Sequence, residues 1–166
     1  MRILGIDPGS LHTGFGVVEK NVNTLKVVDC GCITSLSKDN FEKRYSKIFA
    51  KLQQVILETK PDAVVLENVI FCNNSKVAIK LGEARGVSIV AAVLLGLPIK
   101  EFSPKKIKQA VVGNGNASKE QVQNMVQRIL KLPELPQADT ADALAAAICC
   151  IHEADNPLSQ FYKGKP

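Results

Sequence analysis

Arg2-Ile3-Leu4-Gly5-Ile6-Asp7 is a short apolar run with a carboxylate at its end, stopped at once by the turn dipeptide Pro8-Gly9. Read as a strand, it carries Asp7 to the edge of a sheet. Thr13 to Val18 resumes with small and β-branched residues, and Thr24 to Thr34 supplies a third run beyond an Asn-rich turn. Short turns between three such runs predict an antiparallel meander. The period then changes. Between Phe41 and Thr59, the residues Tyr45, Ile48, Phe49, Leu52, Val55 and Ile56 recur at three- and four-residue steps, which predicts an amphipathic helix ending ahead of Pro61. Ala63-Val64-Val65-Leu66 is a continuous apolar run of the kind buried on both faces of a sheet. It too ends in an acid, Glu67.

A second helix is predicted from about Ser75 to Leu95. Its front half is amphipathic through Val77, Ala78, Leu81 and Ala84, and its back half is apolar on nearly every side. Such a helix needs cover all round, from the sheet and from a further helix or a second subunit. Gly82 and Gly86, four apart, permit close backbone approach there. Ile99 to Phe102 predicts a fifth strand, and Ser103-Pro104 opens a short helix carrying Lys105, Lys106 and Lys108. Ser118 with Gln121 has the capping-box spacing and starts a helix reaching about Leu132. After Pro133 and Pro136, an alanine-rich helix runs from Ala138 to about Ile151. The expected organisation is one domain over residues 1–155, with 156–166 a polar, loose tail.

The chain has 166 residues, 46% of them hydrophobic and 22% charged, the balance of an ordinary soluble globular protein. Val87 to Leu95 is far too short to span a bilayer, and the N-terminus lacks the apolar length and cleavage site of a signal peptide. A cytoplasmic protein without membrane attachment is therefore expected. None of the five cysteines forms a Cys-x-x-Cys spacing, so they read as small reduced hydrophobes. The net charge of +5, with basic clusters at Lys105-Lys106-Lys108 and at Lys163 and Lys165, suits a polyanionic partner.

Asp139 and Asp142 are three apart in the last helix and so share one face. Ala138, Ala141, Ala143, Ala145 and Ala146 make that helix slim enough to lie close on a sheet and set both aspartates against the strand ends. Four converging carboxylates repel one another unless a cation sits among them. Hard oxygen ligands without cysteine or histidine favour Mg²⁺, with Mn²⁺ a substitute, over zinc. Two such ions roughly 3.5–4 Å apart suit phosphodiester hydrolysis. The blander alternatives are turn formation for Asp7 and a helix-dipole interaction for the late aspartates.

Several stretches together resemble a known family. Ile3-Leu4-Gly5-Ile6-Asp7-Pro8-Gly9-Ser10 with Thr13-Gly14-Phe15-Gly16-Val17 resembles the opening of the RuvC family of bacterial Holliday-junction resolvases. Leu81-Gly82-Glu83-Ala84-Arg85-Gly86-Val87 and Lys108-Gln109-Ala110-Val111-Val112-Gly113 resemble its middle. Leu130-Lys131-Leu132-Pro133 and Gln137-Ala138-Asp139-Thr140-Ala141-Asp142-Ala143-Leu144 resemble its end. The resemblance implies an α/β protein of RNase H-like fold, a mixed five-stranded sheet flanked by helices. It also implies a homodimer that binds four-way branched DNA and makes paired symmetric nicks in recombination and repair, and that docks with the RuvA/RuvB branch-migration complex. Asp7, Glu67, Asp139 and Asp142 match the family's four metal-binding acids, and Lys108 and Lys119 match basic positions it needs for cleavage. The neighbouring Lys105 and Lys106 extend the basic patch as candidate DNA contacts. The family often places Phe three residues after the strand-end Glu, stacked on an unpaired base. Here that position is Ile70 and Phe71 follows, so either could serve as the wedge.

Two other readings compete. Gly5 to Ser10 with Thr13-Gly14 also resembles the phosphate-binding hairpin of actin-like ATPases and sugar kinases, which need a second lobe that 166 residues do not supply. A non-catalytic module for branched DNA is the other, and the complete acid set argues against it.

Overall fold

The three opening runs form β1 (Arg2–Asp7), β2 (His12–Asn21) and β3 (Thr24–Thr34) of a computed structural model that describes residues 1–22, 24–68 and 74–155. β2 is longer than the run from Thr13 to Val18 at both ends, because its pairing with β3 continues through polar Glu19 and Lys20. α1 (Phe41–Thr59) begins on Asn40, whose side chain accepts from the Lys43 amide, and ends at Lys60 in the left-handed conformation. Then come β4 (Ala63–Glu67), α2 (Ser75–Val93), β5 (Ile99–Phe102), α3 (Pro104–Val112), α4 (Lys119–Leu130) and α5 (Ala138–Asp155). The capping box at Ser118 and Gln121 is complete, each side chain bonded to the other residue's backbone amide.

The sheet has the order β3-β2-β1-β4-β5. β1, β2 and β3 are antiparallel, whereas β4 runs parallel to both β1 and β5. This is the mixed five-stranded sheet of the RNase H-like expectation. Alternate residues of the strands feed two separate cores. Leu4, Ile6, Phe15, Val17, Val64 and Leu66 pack under α1 and α2, while Ile3, Val18, Ala63 and Val65 pack under α3, α4 and α5.

α5 lies directly on β1 and β2, and glycines clear its path. A Cβ added at Gly5 would sit 1.9 Å from the Ala143 carbonyl oxygen, and one at Gly14 would sit 1.9 Å from that of Asp139. Backbone cannot yield at that separation. The slim alanine helix and the glycine floor are thus two halves of one packing solution.

α2 departs from its sequence reading. Of the expected front-half face only Ala84 is buried, joined further along by Ser88, Ala91 and Ala92. Val77, Ile79, Val90, Val93 and Leu94 face solvent. The helix meets α1 and the sheet through these small residues with Val87 and Ile89, so several of its larger apolar side chains point away from this chain's own core. A Cβ at Gly82 or Gly86 would meet nothing within 4 Å, so neither glycine serves close packing inside the chain. No helix among the described residues is long and apolar enough to cross a membrane. The expected loose tail at 156–166 lies outside the described residues.

Candidate active site

β1 and β4 are parallel neighbours, with Ile6 opposite Leu66. The next residue of each strand is an acid, so Asp7 and Glu67 leave the same end of the sheet side by side. Asp7 also stands opposite Gly14, where the first turn of α5 rests on the sheet. That contact brings Asp139 and Asp142 to the strand ends. The buried Thr13 hydroxyl donates to the Gly9 carbonyl at 2.6 Å and closes the turn that follows Asp7.

Asp7, Glu67 and Asp142 line a cleft of about 290 Å³. Lys108 of α3 and Lys119 of α4 face them across it, and Pro104, Ile107 and Val122 form the apolar wall. Lys119 Nζ lies 3.5 Å from Asp142 Oδ2. Asp139 does not line the cleft itself. Its carboxylate lies 4.0 Å from the Cys32 sulfur, yet its charge still bears on Asp7.

The three acids of the cleft are all shifted upward. Burial, and then the charges of Asp142, Glu67 and Asp139, push the Asp7 carboxyl up to about 7, against an opposing pull from Lys119. Burial and Asp142 raise Glu67. Burial raises Asp142 as well, outweighing the nearby Lys119. Lys119 is in turn raised, chiefly by Asp142. Carboxylates crowded out of water with too little positive charge among them are a donor set suited to a hard divalent cation.

The remaining candidates fall elsewhere. Lys106 pairs with Glu153 at 2.8 Å and stands over the Phe102 ring, 4.5 Å from its centroid. Lys105 is exposed and lies beside Gly115. Neither lines the cleft. Ile70 and Phe71 lie outside the described residues.

Arg85, which the sequence reading quoted only within the Leu81–Val87 stretch and gave no role, reaches the strand end that carries Glu67. Its Nη1 donates to the Glu67 carbonyl oxygen at 2.7 Å, and its Nη2 pairs with Glu101 at 2.6 Å. α2 is thereby tied to the ends of β4 and β5, at the residue that presents one of the acids. The available signal was a single arginine in the middle of a small-residue and apolar helix.

Comparison with known proteins agrees with this geometry. The sequence profile of the family described as crossover junction endodeoxyribonuclease RuvC matches residues 3–150. The crossover junction endodeoxyribonuclease RuvC of Geobacter sp. (strain M21) is 48% identical over 164 residues, covering 99% of both chains. That of Geobacter sulfurreducens is 51% identical over 154 residues, covering 93% of this chain and 94% of its own. Among solved structures, T. thermophilus RuvC in complex with Holliday junction substrate superposes with a TM-score of 0.87 at 35% identity, covering 93% of this chain and 94% of that one. The chain belongs to the RuvC family of crossover junction endodeoxyribonucleases.

Proposed function

We propose that this chain is a structure-selective endonuclease that resolves four-way (Holliday) DNA junctions by paired, symmetric, metal-dependent hydrolysis, leaving ligatable 5′-phosphate and 3′-hydroxyl nicks. The observation that carries the reading is the set of carboxylates at two strand ends and one helix start, facing two lysines across a cleft. Asp7, Glu67, Asp139 and Asp142 hold divalent ions, Mg²⁺ with Mn²⁺ as substitute, two per site. Asp7, the acid on which the other three bear, would be the ligand shared between the ions. Bound there, the ions supply an activated water and neutralise charge on the leaving oxygen.

Lys108 and Lys119 grip the non-bridging oxygens of the scissile phosphate. Lys119 is exposed and only 3.5 Å from Asp142, so it can exchange that partner for a phosphate without crossing the cleft. The apolar wall of Pro104, Ile107 and Val122 keeps stray water from the reacting oxygens. Residues 1–155 act as a single nuclease domain.

Paired nicks require two sites related by a two-fold axis, which a homodimer provides. The exposed apolar side chains of α2 support that assembly, as does a groove of about 680 Å³ beside them lined by Phe41, Tyr45, Phe49, Val87 and Val90. Cooperation with RuvA/RuvB and a bacterial cytoplasmic location rest on the resemblance.

The decisive assay offers a labelled four-way junction and a linear duplex of the same sequence, with Mg²⁺, Mn²⁺ or chelator. Paired nicks in the junction alone, abolished by chelator, are expected. Tight junction binding with no cutting under either metal would leave a binding module instead.

A further inference from the structure

Beside the acid cleft, on the far side of Asp139, a second group of ligands faces the start of α5. His12 opens β2, and Cys32 lies near the end of β3, opposite Gly14. Because Gly14 has no side chain, the first turn of α5 settles onto β2 there and brings Asp139 up to the other two. One ligand atom each from His12, Cys32 and Asp139 lies within 4.8 Å of the others, and the Cys32 sulfur is 4.0 Å from Asp139 Oδ2. A tetrahedral zinc with bonds of about 2.3 Å to sulfur and about 2.0–2.2 Å to oxygen sets those two atoms roughly 3.5 Å apart. Small side-chain rotations close that gap. His12 is exposed and Cys32 and Asp139 are partly so, which leaves a path for an ion and a position for a water ligand.

We propose that His12, Cys32 and Asp139 form a second cation site, selective for a thiolate-seeking ion such as Zn²⁺, that holds Asp139 away from the acid cleft. Thiolate and imidazole donors discriminate against Mg²⁺, so the two sites are sorted by ligand chemistry rather than by concentration. Binding forms a zinc–sulfur bond and releases the Cys32 thiol proton to solvent. An Asp139 carboxylate turned with Oδ2 onto the outer ion, beside Cys32, is swung off the inner site. Occupation of the outer site therefore withdraws one acid from the inner one, and zinc becomes a brake on cleavage. That last step rests on the nuclease reading. The binding step does not.

The test begins with full-length, metal-free protein titrated with Co²⁺, which reports a thiolate ligand by a sulfur-to-cobalt charge-transfer band in the near ultraviolet. A band that saturates stoichiometrically, is erased by Zn²⁺ and is lost in Cys32→Ser supports the site. His12→Ala should keep the band but raise half-saturation about tenfold or more, having lost one of three protein ligands. No band, or a band that survives Cys32→Ser, overturns the site. Junction cleavage at fixed Mg²⁺ is then measured with added Zn²⁺. Inhibition of the wild type but not of Cys32→Ser is expected, and equal inhibition of both overturns the brake. A protein that cuts nothing fails the nuclease reading while the cobalt titration still decides the site.

Discussion

The Arg85 guanidinium holds the backbone oxygen of Glu67 at 2.7 Å and the Glu101 carboxylate at 2.6 Å, so a residue on α2 fixes the strand end that presents an acid to the cleft. Hydrogen bonds to charged groups contribute about 1.5–3 kcal/mol. Arg85→Met is expected to lower the single-turnover cleavage rate about tenfold or more at saturating metal, while junction affinity stays near wild type. Arg85→Lys should recover little, since an ammonium cannot offer the planar fork that serves both partners. A mutant whose defect lay wholly in junction affinity would contradict this positioning role.

Gly14→Ala should damage both stability and activity. The new methyl meets the Asp139 peptide oxygen, and α5 must lift to admit it. Overpacking of this kind costs about 1–3 kcal/mol, read by chemical denaturation. The lift also moves Asp139 and Asp142 off the strand ends, so cleavage should fall further than the stability loss alone explains. A fully active Gly14→Ala protein would show that the close approach of helix to sheet is unnecessary.

The acid cluster makes metal-free stability depend on pH in a definite direction. Asp7 has a folded value of about 7 against an ordinary 3.8. A group raised on folding adds stability that is fully present below its unfolded value and is lost as pH climbs through its folded value. Glu67 and Asp142 are raised too and act in the same sense. In chelator, the melting temperature should therefore decline as pH rises from about 4 towards 8, and Mg²⁺ should restore more of it at the alkaline end. Scanning calorimetry across that range with and without Mg²⁺ checks the slope. A metal-induced shift of equal size at every pH would refute it.

Asp7→Asn separates stability from activity. Removing the most strongly perturbed carboxylate relieves repulsion, so the metal-free variant should melt above wild type at neutral pH. It should also bind junctions and cut none of them.

Leu94→Glu tests the assembly. Leu94 is 66% exposed on the apolar flank of α2, so a charge there costs an isolated chain little. Sedimentation should show dimers for the wild type and monomers for the variant, and the variant's junction nicks should lose their pairing. Persistent dimers would move the interface elsewhere.

Much of this arrangement was legible in the residues, for physical reasons that can be named. β1 and β4 announce themselves because a strand buried in a sheet must be apolar and each is cut off by a lone acid, Asp7 or Glu67. α1 and α4 carry their own caps at Asn40 and Ser118, which are local chemistry. What stayed hidden depends on contacts between distant positions. Arg85 matters through Glu67 and Glu101, and His12 and Cys32 through an opposing glycine. The outward side of α2 stayed open between a further helix and a second subunit, because an apolar pattern calls for cover without naming what supplies it.

The placement of α5 against β1, β2, β3 and β4 also sets an order of events during synthesis. A chain still emerging from the ribosome holds Asp7 and Glu67 without Asp139 or Asp142, and lacks the helix that covers one face of its sheet. On the proposed reading, the acid set is complete only once α5 has emerged and docked, so a chain stopped short of it is expected to cut nothing.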